Sequence, residues 1–138
     1  MTGFIFTIPG QPVPKGRPRV LRNGITYTPK RTVEAEKAVA VAARMVRGAI
    51  PPDAEGLYCL NATFYVQGQR KADLDNLVKL VMDGMAGVIY RNDKQVRCFR
   101  DVSVEYGEME PRTEVTISRM PQVGCKPQSP FAAHEGSC

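Results

Sequence analysis

Lys71-Ala72-Asp73-Leu74-Asp75-Asn76-Leu77-Val78-Lys79-Leu80-Val81-Met82-Asp83-Gly84-Met85 decides how this chain folds. Leu74, Leu77, Val78, Val81 and Met85 recur at i, i+3, i+4, i+7 and i+11, an apolar stripe that a helix gathers on one side. At about 100° per residue, Asp75, Lys79 and Asp83 fall together on the opposite, polar side. Gly84 is tolerated but weakening inside such a helix, and Gly87 stands where a C-terminal cap belongs.

Outward from that helix the pattern changes period. From Leu57 to Val66, Tyr58, Leu60, Ala62, Phe64 and Val66 alternate with Cys59, Asn61, Thr63 and Tyr65, which predicts a strand with one face in the core. Downstream, Val88-Ile89-Tyr90 leads to Arg91-Asn92-Asp93, and Val96, Cys98, Val102, Val104 and Tyr106 predict a long strand with Arg100 as a break. Glu114 to Ser118 predicts another. Upstream, Ala35, Val39, Ala42 and Val46 predict a helix over Thr32 to Arg47, with Thr32 as N-cap, Glu34 and Glu36 in the first turns, and Gly48 and Pro51-Pro52 closing it. Phe4, Phe6 and Ile8 predict an opening strand that ends at Pro9-Gly10. The expected fold is α+β: one two-layer domain over residues 1–119, a mixed β-sheet with two α-helices packed on it. Residues 120–138, rich in Pro, Gly, Ser and Gln, read as a disordered tail.

At 138 residues the chain can bury a core without staples. It shows no basic-then-apolar leader and no run near the ~20 apolar residues that cross a bilayer, so the expectation is a cytoplasmic protein with no membrane partner. Cys59, Cys98, Cys125 and Cys138 are scattered without a C-x-x-C pair, which supports neither a zinc knuckle nor a disulfide scaffold. The single histidine, His134, lies in the tail, leaving no Ser-His or Cys-His pair, and no Walker loop, G-x-G-x-x-G turn, G-x-S-x-G elbow or H-E-x-x-H helix is present.

Net charge is +5, and the excess sits in one place. Between Gln11 and Arg31 the chain carries Lys15, Arg17, Arg19, Arg22, Lys30 and Arg31 with no Asp or Glu, so the 13 basic and 14 acidic residues elsewhere net −1. Pro12, Pro14, Gly16, Pro18 and Pro29 punctuate this stretch as a long loop, with a hairpin turn expected at Asn23-Gly24. A basic loop can be merely solvated. Beside clustered carboxylates it points to a polyanion partner.

One aspartate at a helix start is explained by capping and the helix dipole. Asp73, Asp75 and Asn76 together, with Asp93 expected to return to the same end of the sheet, read instead as a metal site. With only oxygen ligands nearby, Mg²⁺ or Mn²⁺ suits it. A divalent ion bridging carboxylates and a phosphodiester also reconciles the acidic cluster with the basic loop. Lys79 has two readings, an i,i+4 surface ion pair worth ~0.3–0.5 kcal/mol or a cation beside the scissile phosphate.

These residues resemble the RusA family of Holliday-junction resolvases of bacteria and phages. The resemblance rests on Ile8-Pro9-Gly10-Gln11-Pro12, Lys15-Gly16-Arg17-Pro18-Arg19, Tyr27-Thr28-Pro29, Asp73-Leu74-Asp75-Asn76 with Lys79, and Gly87-Val88-Ile89-Tyr90 before Asp93-Lys94-Gln95-Val96, in that order from about Phe4 to Ile117. It implies a Mg²⁺-dependent homodimeric endonuclease that cuts two opposed strands of a four-way DNA junction, a nucleoid-associated activity. The family's essential carboxylates fall on Asp73, Asp75 and Asp93 and its essential lysine on Lys79. DNA would be carried by Lys15, Arg17, Arg19, Arg22, Lys30 and Arg31, with Arg70 and Lys71 beside the carboxylates. The family commonly has two acidic residues where this chain has Asn92-Asp93. Rival readings are a nuclease for branched DNA in general and a junction-binding protein whose site has decayed.

Overall fold

The alternating run around Leu60 lies inside a sheet rather than at its margin. In this computed structural model, which describes residues 3–69 and 71–121, the elements run β1 (Gly3–Pro9), β2 (Arg19–Val20), β3 (Thr26–Tyr27), α1 (Lys30–Arg47), β4 (Tyr58–Gln67), α2 (Leu74–Met85), a 3₁₀ turn η1 (Asp93–Gln95), β5 (Val96–Gly107) and β6 (Arg112–Arg119). The main sheet has the order β1-β6-β4-β5; β1–β6 and β6–β4 are antiparallel and β4–β5 is parallel. The fold is α+β with a mixed sheet, as the sequence predicts. Arg70 and residues 122–138, and with them the expected tail, lie outside the described residues.

A parallel neighbour cannot be reached by a tight turn, so the chain crosses back between β4 and β5 through α2. Tyr58, Leu60, Ala62, Phe64 and Val66 of β4 are all buried, as their alternation requires, and the stripe of α2 packs onto the same core with Leu77, Val78, Val81 and Met85. Leu80 joins them, widening the buried side beyond the narrow stripe. The expected break near Arg100 is real: the β4–β5 register shifts between the pairs Leu60↔Phe99 and Ala62↔Val102. The hairpin is real too, a two-residue ladder of β2 and β3 with Gly24 at φ +85° in its turn.

Two expectations need correction. Helix α1 begins at Lys30 after Pro29, and Thr32 is not its cap. Thr32 is buried in the first turn, where its Oγ1 accepts a hydrogen bond from the Gly16 N–H at 3.0 Å, so the hydroxyl ties the basic loop to the helix. Helix α2 ends at Met85 with Ala86 as its cap, and Gly87 (φ +89°) belongs to the turn that follows, exposed itself and donating its N–H to the carbonyl of buried Tyr90.

Gly84 has a packing reason that periodicity does not reveal. A Cβ there would stand 2.5 Å from Val39 Cβ and 3.0 Å from the Glu36 carbonyl oxygen, so the glycine lets α2 touch α1. Gly84→Ala should therefore destabilise the fold by about 1–3 kcal/mol despite alanine's better helix propensity. A thermal melt reads this; an unchanged or raised Tm would show that the helices separate freely.

Candidate active site

Each candidate side chain is set by the crossover. Asp73 is the N-cap residue of α2 and Asp75 lies in its first turn, with Asp75 Oδ1 accepting the Asn76 N–H at 3.0 Å. Asp73 Oδ2 accepts from Asn76 Nδ2 at 3.3 Å. Asp73 and Asp75 are exposed, open to a ligand.

Asp93 arrives differently. The crossover helix runs back against β4 and β5, and Asp93 opens the turn that enters β5, so it meets α2 at Lys79, one turn beyond Asp75, and not at the N-terminus. The expectation that it returns to the same end of the sheet as Asp73 is not met, because the crossover delivers it at the start of β5. Lys79 Nζ is bonded to Asp93 Oδ2 and lies 3.1 Å from Asp83 Oδ1. Lys15 Nζ lies 2.9 Å from Asp83 Oδ2 and contacts Glu36 as well. Five charges thus alternate in sign across the molecule: Glu36 of α1, Lys15 of the loop, Asp83 and Lys79 of α2, and Asp93 of η1.

The network moves the proton affinities of its members. The hydrogen bond from Lys79 holds the Asp93 carboxyl below the usual carboxylate range, and the same bond raises the Lys79 ammonium. For Lys15, partial burial works against the charge, but the bonds to Glu36 and Asp83 outweigh it and the net shift is upward. Around neutral pH both lysines stay charged and Asp93 stays ionised.

The basic loop is not free. Lys15 N–H donates to the Asn76 carbonyl at 2.9 Å, and Gly16 passes so close to α1 that a Cβ would stand 2.7 Å from Thr32 Oγ1. This pinning makes a groove of about 430 Å³, lined among others by Lys15, Arg19, Arg31, Lys71, Asp73 and Asn76. The structure therefore brings four of the basic candidates to the first catalytic candidate. Arg17 and Arg22 are exposed outside that lining, and Lys30 is exposed with Glu34 at 3.8 Å.

Sequence reasoning did not find Gln95 or Glu36 as parts of this assembly. Buried Gln95 accepts the N–H groups of Arg91 and Asn92 and donates to the carbonyls of Asp53 and Gly56, locking the turn that carries Asp93. Asn92 Oδ1 caps the turn by accepting the Lys94 N–H at 2.8 Å, so the residue that departs from the family pattern performs structural work. Asp83, four residues after Lys79, was visible as a helix-surface partner. Glu36 required the tertiary contact.

A metal ion would find the right donors but not a closed cage. Asp73, Asp75 and Asp93 offer carboxylate oxygens, the type that hard divalent cations take. Among the described residues, however, no three His, Cys, Asp or Glu side chains are grouped to hold one, since Asp93 is engaged by Lys79 a turn away.

A family model described as endodeoxyribonuclease RusA matches residues 9–118, most of the chain. No curated protein matches it.

Proposed function

Because the chain belongs to the RusA endodeoxyribonuclease family, whose members resolve Holliday junctions, we propose that it is a divalent-metal-dependent resolvase that hydrolyses paired phosphodiesters of four-way DNA in recombination and repair. The observation that carries this reading is the groove that Arg19, Arg31 and Lys71 line together with Asp73. Cations in a concave track attract a phosphate backbone, and a carboxylate in its lining gives that track a chemical purpose beyond attraction.

In this reading Lys71, Arg19 and Arg31 bind and orient the strand. Asp73 and Asp75 are the proposed ligands of Mg²⁺ or Mn²⁺, which would supply phosphate polarisation and a more acidic bound water, and Asp93, held by Lys79 in this structure, would have to swing toward them to complete the set. Lys79 holds positive charge where the pentavalent phosphate gains negative charge, and Asp83 and Asp93 keep its ammonium in place. The protein is proposed to act as a homodimer, since an isologous pair presents two equivalent sites to the two equivalent strands of a junction. No helix among the described residues is long and apolar enough to cross a membrane.

The deciding assay compares cleavage of a labelled immobile junction, a flap and a duplex, with and without Mg²⁺. Paired cuts confined to the junction and dependent on metal support the proposal. Equal cutting of the flap would favour a general branched-DNA nuclease, and tight binding without cutting a decayed site. In the same system, Arg19→Ala with Arg31→Ala should weaken junction binding and reduce the slope of log affinity against log salt by about 1 to 2. An unchanged slope in a salt titration would remove the groove from the DNA path.

A further inference from the structure

Cys59 and Cys98, far apart in sequence, stand side by side in the fold. Both are free thiols, and they are register partners on the parallel strands β4 and β5. Neighbouring strands lie about 4.8 Å apart, inside the roughly 4.4–6.8 Å between Cα atoms that a disulfide spans. An irregularity makes the pair. Tyr58 is opposite Val96, so a regular ladder would set Arg97 opposite Cys59, but the register shifts there and sets Cys98 in that place.

Their surroundings give the two sulfurs different access. Cys59 is 2% exposed, whereas Cys98 is partly open on the last strand of the sheet. Burial first, and then the neighbouring Cys98 thiol, push the Cys59 thiol above its ordinary range. The Arg100 guanidinium, which lies against both sulfurs, works the other way and favours a thiolate at Cys59. An oxidant from solution therefore meets Cys98 first. Cys59 waits behind it, shielded from every reaction except one with its partner.

We propose that Cys59 and Cys98 are an oxidisable pair, which hydrogen peroxide joins into a disulfide within the folded chain. The Cys98 sulfur, as thiolate, attacks a peroxide oxygen; the O–O bond breaks, the sulfur becomes a sulfenic acid and one water leaves. The Cys59 sulfur then attacks the sulfenic sulfur, the S–S bond forms, the S–O bond breaks, and the hydroxyl departs with the Cys59 proton as a second water. Two thiols and one peroxide thus give one disulfide and two waters, the sulfurs losing the two electrons that the peroxide gains. A dithiol restores the pair by exchange. The bond joins the two ends of the segment that holds Asp73, Asp75, Lys79, Asp83 and Asp93, so oxidation clasps the whole crossover. In a reducing compartment the pair rests as thiols and closes only under oxidant load. The chemistry needs no DNA and no metal.

The test treats the full chain carrying Cys125→Ser and Cys138→Ser with hydrogen peroxide, so that only the paired thiols remain. The mass should fall by about 2 Da, the two hydrogens lost. Peptide mapping without reductant should link the Cys59 peptide to the Cys98 peptide, and dithiothreitol should return both free thiols. Closing so long a loop of the unfolded chain should raise Tm by roughly 5–15 °C. With Cys98→Ser added, Cys59 should stay unreacted in the folded protein and react once urea unfolds it, which identifies Cys98 as the point of entry. A chain that keeps both thiols, one that gains oxygen at Cys98 without the cross-link, cross-links found only between chains, a Tm lowered by the cross-link, or a Cys59 that reacts as fast in the folded Cys98→Ser protein would each overturn the proposal.

Discussion

Asp75→Asn should reduce junction cleavage by about 10³-fold or more while leaving junction affinity within a few-fold of the unmodified protein. The substitution keeps the size of the side chain and an oxygen that can still accept the Asn76 N–H. What it removes is a negative charge at an exposed position beside the basic groove, where a divalent ion would be held. A 10³-fold loss corresponds to about 4 kcal/mol of transition-state stabilisation, within what a polarising metal supplies. Binding should survive because the phosphate contacts are proposed to come from other residues, Arg19, Arg31 and Lys71 among them. Single-turnover cleavage in Mg²⁺ alongside an equilibrium titration measures both quantities. Near-normal cutting by the variant would sink the metal-site assignment.

Lys79→Ala should lower the cleavage rate by roughly 10²-fold or more, as loss of one positioned cation or donor does elsewhere, and should cost little stability. Lys79 is about half exposed and its pairs with Asp83 and Asp93 are solvent-screened, so together they contribute at most about 1 kcal/mol. The variant does leave Asp83 and Asp93 facing each other without the cation between them, which argues for a small Tm loss rather than none. A large fall in Tm with unchanged cutting would reverse the assignment and make Lys79 part of the scaffold. Both measurements are needed, because the same ammonium joins α2 to the turn that carries Asp93.

Much of this was legible in one dimension because the patterns were strong and local. The stripe from Leu74 to Met85, the alternation from Tyr58 to Val66 and the turn at Asn23-Gly24 each encode an element whose burial or dihedral requirement is met by neighbours in sequence. The start of α1 was not legible, since Thr32 carries the chemistry of a cap but spends its hydroxyl on Gly16, sixteen residues away. Nor was Gly84, which is judged by propensity as a weakness and by packing as the point where two helices touch.

The site divides in the same way. Residue chemistry along the chain determined that carboxylates stand at the start of α2, that a lysine follows one turn later, that the positive excess belongs to a single loop and that the chain resembles a family of junction nucleases. Only the tertiary structure decided what these groups meet: that Lys15 is drawn out of the basic loop into Asp83 and Glu36, that Gln95 locks the turn behind Asp93, and that Asp93 reaches the helix at Lys79 rather than at Asp73. The reason is topological. Periodicity assigns a residue to a face of its own element, but the parallel pairing of β4 with β5 forces the crossover to return to the opposite end of the sheet, and no local pattern in the sequence records where that return brings Asp93.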